Sequence, residues 1–268
     1  MVAGVLYDEA GNVLIAQRAP DAHMGGEWEF PGGKLDPGEG RLAGLVRELR
    51  EELGVEIESA RPLIRIEHNY PDRLIRLDVW VVERYTGTPA GLEGQALRWL
   101  APASLPHQRI LAADMPIITA INLGQRLAIV DGGDPDWQDI QETLGKIARA
   151  GIDTVCVDAG SASGGAGRAR QAAYARGLRV VEVGSRSDIG NFRAAFAVVA
   201  GQPDFTLALL DIADKAPAQR LPETTDIAAA IARLNVPVFV PAHWIDHDLA
   251  AAWQLGAHGV IVPVSAEK

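Results

Sequence analysis

Three glutamates, Glu48, Glu51 and Glu52, stand at i, i+3 and i+4 within Arg47-Glu48-Leu49-Arg50-Glu51-Glu52-Leu53-Gly54-Val55. On a helix these positions share one face. Like charges crowded together repel unless a cation sits among them. Hard divalent ions such as Mg²⁺ take carboxylate and carbonyl oxygen and also coordinate phosphate. Just upstream, Gly32-Gly33-Lys34-Leu35-Asp36-Pro37-Gly38-Glu39 reads as a loop whose glycines permit sharp turns and close approach of backbone to a ligand. Leu42, Leu45, Val46, Leu49 and Leu53 form a separate apolar stripe that can pack on a sheet. For the three glutamates alone, a solvated acidic face balanced by Arg47 and Arg50 is the better reading.

The wider spacing overturns that reading. Gly33 is followed after five residues by Glu39, and after seven more by Arg47-Glu48, an aliphatic residue, Glu51-Glu52, Gly54 and a second aliphatic residue. This resembles the Nudix box, with every defined position from Gly33 to Val55 met. Arg18-Ala19-Pro20-Asp21-Ala22-His23-Met24, Trp28-Glu29-Phe30-Pro31, Tyr70-Pro71-Asp72-Arg73, Glu83-Arg84, Glu93-Gly94-Gln95 and Trp99 are also similar to the MutT type of Nudix hydrolase. The likeness runs through almost all of residues 2–122. It implies an α/β/α sandwich with a mixed sheet and hydrolysis of a nucleoside triphosphate at its phosphoric anhydride.

By the same resemblance, Glu48, Glu51, Glu52 and Glu93, with the carbonyl of Gly33, hold Mg²⁺ or Mn²⁺. Glu39 supports the turn from loop to helix and Arg47 orients the carboxylates. Lys34 is either a phosphate contact or a solvated loop lysine. Either Glu52 or Glu93 is the general base for water attacking the β-phosphorus, releasing nucleoside monophosphate and pyrophosphate. Arg18, His23 and Phe30 match positions lining the nucleotide pocket. Asp114 stands where MutT carries an asparagine that reads oxidised guanine. An ionised aspartate only accepts hydrogen bonds, whereas asparagine also donates. Asp114 either reads the base or caps the helix beginning near Pro116.

The elements that must position these groups fall into two textures meeting near residue 124. Residues 1–124 read as hairpins around one strong helix. Val2–Tyr7 and Val13–Gln17 are strands flanking an Asp8–Asn12 turn, and Leu63–Glu67 and Leu74–Val82 are strands around Pro71-Asp72. Residues 125–268 alternate short apolar strands with helical stretches, one of them Phe192–Ala200. Six strands in this length are too few for a full eight-fold barrel, which leaves a shortened TIM-barrel-like β/α domain or an open sheet. The order of elements weakly resembles thiamine phosphate synthase and its TenI relatives, without their functional motifs. Gly160–Gly167 is a phosphate cradle or a flexible loop, Asp211 and His243 fall at strand ends, and Asp246 is a helix N-cap.

Composition sets outer bounds. The 268 residues carry 35 acids against 25 bases, a formal charge of −10. That disfavours nucleic-acid polymers and anionic membranes as partners. The single cysteine, Cys156, excludes an intrachain disulfide, and a cytoplasmic setting without signal peptide or membrane span is expected. The leading expectation is a Mg²⁺-dependent pyrophosphohydrolase acting on 8-oxo-dGTP. Its alternatives are a Nudix hydrolase of other nucleotides, or a thiamine-pathway binding module in which the second domain does the work. Oligomeric state is left open.

Overall fold

The computed structural model describes residues 1–71, 73–131, 137–158, 165–189, 192–199, 206–210, 228, 231, 234 and 236–262. The chain forms two compact units, Met1–Asn122 and Leu123–Lys268.

In the first unit, β1 (Val2–Val5), β4 (Gly32–Gly33), β5 (Glu56–Tyr70) and β6 (Arg73–Thr86) make a mixed sheet in the order β4-β1-β6-β5. A second, antiparallel sheet is ordered β3-β2-β7, from β2 (Val13–Gln17), β3 (Trp28–Glu29) and β7 (Leu97–Leu100). The Asp8 turn forms as expected, its carboxylate accepting from the N–H groups of Ala10 and Asn12. The strands it joins do not form a simple hairpin. Beyond the Tyr7–Val13 bridge they diverge into different sheets. β5 and β6 are longer than the apolar runs suggest, because three irregularities between Ile57 and Ile64 interrupt the alternation that marks a strand.

Helix α1 (Arg41–Leu53) carries the glutamates. Leu45, Leu49 and Leu53, spaced by four, are wholly buried against Val2, Leu6, Leu14, Val55 and Val82. Each contributes about 2 kcal/mol by leaving water, so the opposite face is held rigidly outward. Helix α2 (Met115–Ile121) follows a short 3₁₀ turn, Ala112–Asp114, that delivers Asp114 into the interior.

The second unit is a closed barrel in the order β10-β11-β12-β13-β14-β8-β9. Its strands are β8 (Arg126–Asp131), β9 (Thr154–Asp158), β10 (Arg179–Ile189), β11 (Phe192–Val199), β12 (Thr206–Leu210), β13 (Val238–Pro241) and β14 (Gly259–Val262). Leu127, Cys156, Val181 and Phe239 pack together in one cluster, while Ala128, Val130, Val155, Val157 and Val180 pack in another with Ile140, Leu144 and Ile147 of α3 (Trp137–Arg149) and Ala169 and Ala172 of α4 (Gly165–Tyr174). Both faces of these strands are therefore covered.

Two expectations fail here. Phe192–Ala200 is not helical: β11 lies antiparallel to both β10 and β12, so the β/α alternation is interrupted. Asp246 is not an N-cap but closes the C-terminal end of the 3₁₀ turn Ala242–Ile245. It adopts a left-handed conformation, and Asp248 caps α5 (Leu249–Leu255) by accepting from Ala250 N–H at 2.9 Å. Asp211 and residues 160–164 of the glycine-rich segment lie outside the described residues. No helix among the described residues is long and apolar enough to cross a membrane.

Candidate active site

The loop bearing Gly32 and Gly33 forms the short strand β4 against β1, which brings it beside the outward face of α1. Gly32 has φ of 147°, and a Cβ there would strike the Val2 carbonyl. At Gly33 a Cβ would strike the Glu48 carboxylate. Glycine is thus required at Gly32 by backbone, whereas at Gly33 it leaves room for the Glu48 carboxylate, which would have to move for a Cβ.

Arg47 organises the acids around it. Its Nε and Nη2 donate to the two oxygens of Glu39 at 2.9 and 2.8 Å, and Nη2 also donates to the Lys34 carbonyl at 3.0 Å. Nη1 lies 3.1 Å from Glu48 and 3.0 Å from Glu51. Hydrogen bonds from Arg47 and from the Asp36 N–H hold the Glu39 carboxyl down to about 2. The same pairing pushes Arg47 further up, so its charge is permanent. Glu39 ties loop to helix as expected, and Arg47 draws the loop acid Glu39 and two of the three helix acids, Glu48 and Glu51, together.

Glu52 is held differently. Its Oε2 accepts from Gly32 N–H at 2.8 Å, and Gln95 Nε2 donates to its backbone carbonyl at 3.1 Å and to Oε1 at 3.4 Å. Burial pushes its carboxyl up to about 7. The Gly32 and Gln95 hydrogen bonds offset part of that, and the nearby Glu29 and Glu93 charges add to it. Glu93 is exposed on the turn from Gly91 to Gly94, its N–H donating to Gln95 Oε1 at 3.0 Å. Gln95 therefore links Glu52 to the backbone of Glu93.

A single ready-made cage of Glu48, Glu51, Glu52 and Glu93 does not appear. Among the described residues no three His, Cys, Asp or Glu side chains converge as a metal site. The reason is competition, since Arg47 engages Glu48 and Glu51 while Gly32 and Gln95 engage Glu52. The chemistry of the donors, carboxylates beside a loop too tight for a Cβ, nonetheless fits a hard divalent cation.

Alongside β1 and β4 lies a cavity of about 320 Å³. All five residues expected to contact the nucleotide, Arg18, His23, Phe30, Lys34 and Asp114, line it, and so does Gly32. The cavity thus reaches the loop that touches Glu52. Asp114 does not cap α2. Its Oδ2 accepts from Phe30 N–H at 3.0 Å across 84 residues of chain. Burial pushes its carboxyl up to about 7, with the Phe30 hydrogen bond opposing, Glu29 adding and Arg18 opposing. Near neutral pH the carboxyl is therefore protonated in a large part of the molecules, and a carboxylic acid offers a donor beside its acceptor, as an amide does.

Comparison with known proteins places this arrangement. Residues 2–120 match the family model described as a NUDIX domain. The 8-oxo-dGTP diphosphatase of Escherichia coli K12 is 37% identical over 121 residues, which are 45% of this chain and 94% of that protein. The chain belongs to the Nudix hydrolases of the MutT family. The CTP pyrophosphohydrolase of the same organism is 36% identical over 119 residues, covering 44% of this chain and 88% of that protein. Among solved structures, that of the E. coli ORF135 protein is 36% identical, covers 45% of this chain and 86% of that chain, and gives a TM-score of 0.41. The likeness of the second half to thiamine phosphate synthase and TenI gains no support from these relatives.

Within the Nudix domain the sequence pattern assigns no separate role to Gln95 or Glu29. Glu29 lines the same cavity, and its carboxylate pairs with Arg18 at 2.5 Å. Tyr70, the last residue of β5, and Arg73, the first of β6, also line it. All four lie in segments similar to MutT, but Glu29, Tyr70 and Arg73 meet the cavity, and Gln95 meets Glu52, from distant parts of the chain and leave no local pattern.

Proposed function

We propose that the Nudix domain is a Mg²⁺-dependent pyrophosphohydrolase that converts 8-oxo-dGTP to 8-oxo-dGMP and pyrophosphate. The observation that carries this reading is the joining of two sites. The cavity lined by Arg18, His23, Phe30, Lys34 and Asp114 reaches Gly32, whose N–H binds Glu52 on the acidic helix. A base in the cavity has its triphosphate directed toward Glu48, Glu51 and Glu52.

Glu48, Glu51, Glu52, Glu93 and the Gly33 carbonyl would hold Mg²⁺, or Mn²⁺, which supplies neutralisation of the triphosphate and a water of lowered pKa. Arg47 keeps Glu48 and Glu51 from repelling each other before the substrate arrives. Glu52 or Glu93 takes a proton from the water that attacks the β-phosphorus, and Gln95 holds Glu52 and the turn that carries Glu93. Lys34 meets a phosphate oxygen as a point charge. Phe30 offers its ring to the base and its N–H to Asp114, whose protonated carboxyl supplies the donor and acceptor that an asparagine would. The enzyme works on free nucleotides in the cytoplasm, and residues 125–268 form a companion domain.

One observation favours a second base specificity. Asp114 is a carboxyl rather than an amide, and a relative with 36% identity is named for CTP. A panel of 8-oxo-dGTP, dGTP, CTP and dATP with Mg²⁺ separates the two. The proposal expects kcat/KM for 8-oxo-dGTP to exceed that for dGTP at least tenfold. A higher value for CTP selects the second reading, and no turnover of any nucleotide refutes both.

A further inference from the structure

We propose that Glu29 is a positioning residue of the nucleotide cavity, fixing the Arg18 guanidinium so that its remaining N–H groups face the substrate. This rests on the reading above that the substrate is a nucleoside triphosphate.

Arg18 follows β2 directly, and Glu29 ends β3, where it pairs with Ala16 across the sheet. The residues between them form a loop that leaves and re-enters that sheet. Arg18 Nε donates to the His23 carbonyl at 2.7 Å and Nη1 to Glu29 Oε2 at 2.5 Å. Two of the five guanidinium N–H groups are thereby committed, and the plane of the fork is set by two acceptors on different elements. Both side chains are about three-quarters buried and both line the cavity that Asp114 also lines.

The pair is not needed to close the loop. Arg18 N–H donates to Glu27 O at 3.0 Å, Gly26 N–H to Arg18 O at 3.1 Å, and Gln17 Nε2 to Gly26 O at 2.9 Å. Those bonds fasten the loop with no help from Glu29. A buried carboxylate in a cavity meant for a polyanion is otherwise unfavourable, and burial does push the Glu29 carboxyl up, with Arg18 opposing. The arrangement becomes useful if Arg18 must be held still. A long, freely rotating side chain loses rotamer entropy when it grips a ligand, and one already held loses little. Glu29 then acts on affinity, through Arg18, and not on the bond-breaking step.

The test is a double-mutant cycle on the full chain, with E29Q, E29D, R18A and E29Q/R18A. Kd for dGTP and 8-oxo-dGTP is measured by calorimetry, beside KM and kcat with Mg²⁺ and the melting temperature. E29Q is expected to raise Kd and KM about tenfold with kcat changed by less than threefold. E29D, which keeps the charge, is expected to recover part of the loss. In the R18A background, E29Q should have no further effect on Kd. Unchanged Kd in E29Q, additive losses in the double variant, or a loss confined to kcat overturns the proposal. If E29Q melts far below the wild type, the E29D and R18A comparison decides in the same way. A wild type that binds and hydrolyses no nucleotide refutes the functional reading together with this one, whereas a wild type that binds normally beside an unaffected E29Q refutes this one alone.

Discussion

Replacing Asp114 by asparagine should make the protein more stable at neutral and alkaline pH, against the usual outcome of changing a buried residue. In the folded chain burial holds the Asp114 proton up to about pH 7, whereas the ordinary value is 3.8. Between these limits the folded state binds more protons than the unfolded state, so stability falls as pH rises through that window. Below about pH 4 the carboxyl is protonated in both states and the penalty is absent. Above about pH 7 it is complete. The window is roughly three pH units wide, and at about 1.36 kcal/mol for each it sets an upper limit of ~4 kcal/mol. The amide in D114N has nearly the same shape and can still accept from Phe30 N–H, but it cannot ionise. Urea denaturation of wild type and D114N at pH 4.5, 6, 7 and 8 reads the difference directly. The advantage of D114N should be smallest at pH 4.5 and grow to a few kcal/mol by pH 8. Parallel curves, or a variant less stable at pH 8, would mean that Asp114 is ionised and paired in the folded protein, and the base-reading role of its protonated form would fall with it.

Other changes probe the acidic helix. G33A places a methyl group against the Glu48 carboxylate, so turnover should fall at least tenfold while the melting temperature moves little, as the helix-borne side chain can swing aside. E51Q removes an acid whose side chain is 57% exposed, so turnover should fall by orders of magnitude with the fold intact, as checked by circular dichroism. R47K keeps the charge but loses the fork that grips Glu39, Glu48 and Glu51 together. A 10- to 100-fold weakening of Mn²⁺ binding by calorimetry is expected on the scale of other groups that orient metal ligands, and an unchanged affinity would remove Arg47 from that role.

The parts of the fold legible in the sequence are those with a local period or a fixed spacing. Leu45, Leu49 and Leu53 announce the buried stripe of α1, and that stripe fixes Glu48, Glu51 and Glu52 outward. Phe192–Val199 reads ambiguously because its alanines favour helix while its phenylalanines and valines favour strand, and pairing on both edges decides the contest for strand. Asp114 invites the cap reading because Pro116 starts a helix two residues later, yet the preceding 3₁₀ turn carries its side chain to Phe30 instead. The cradle of Glu52 by Gly32 and Gln95, and of Arg18 by Glu29, comes from strand register rather than from neighbours in sequence. No pattern in a single sequence records that register.

Where water enters the substrate distinguishes attack at the β-phosphorus from every other cleavage. Hydrolysis of 8-oxo-dGTP with Mg²⁺ in ¹⁸O-labelled water, followed by mass spectrometry of both products, should give 8-oxo-dGMP without label and pyrophosphate carrying one ¹⁸O. Label in the monophosphate would place attack at the α-phosphorus and contradict the proposed chemistry, and release of inorganic phosphate in place of pyrophosphate would contradict it more broadly.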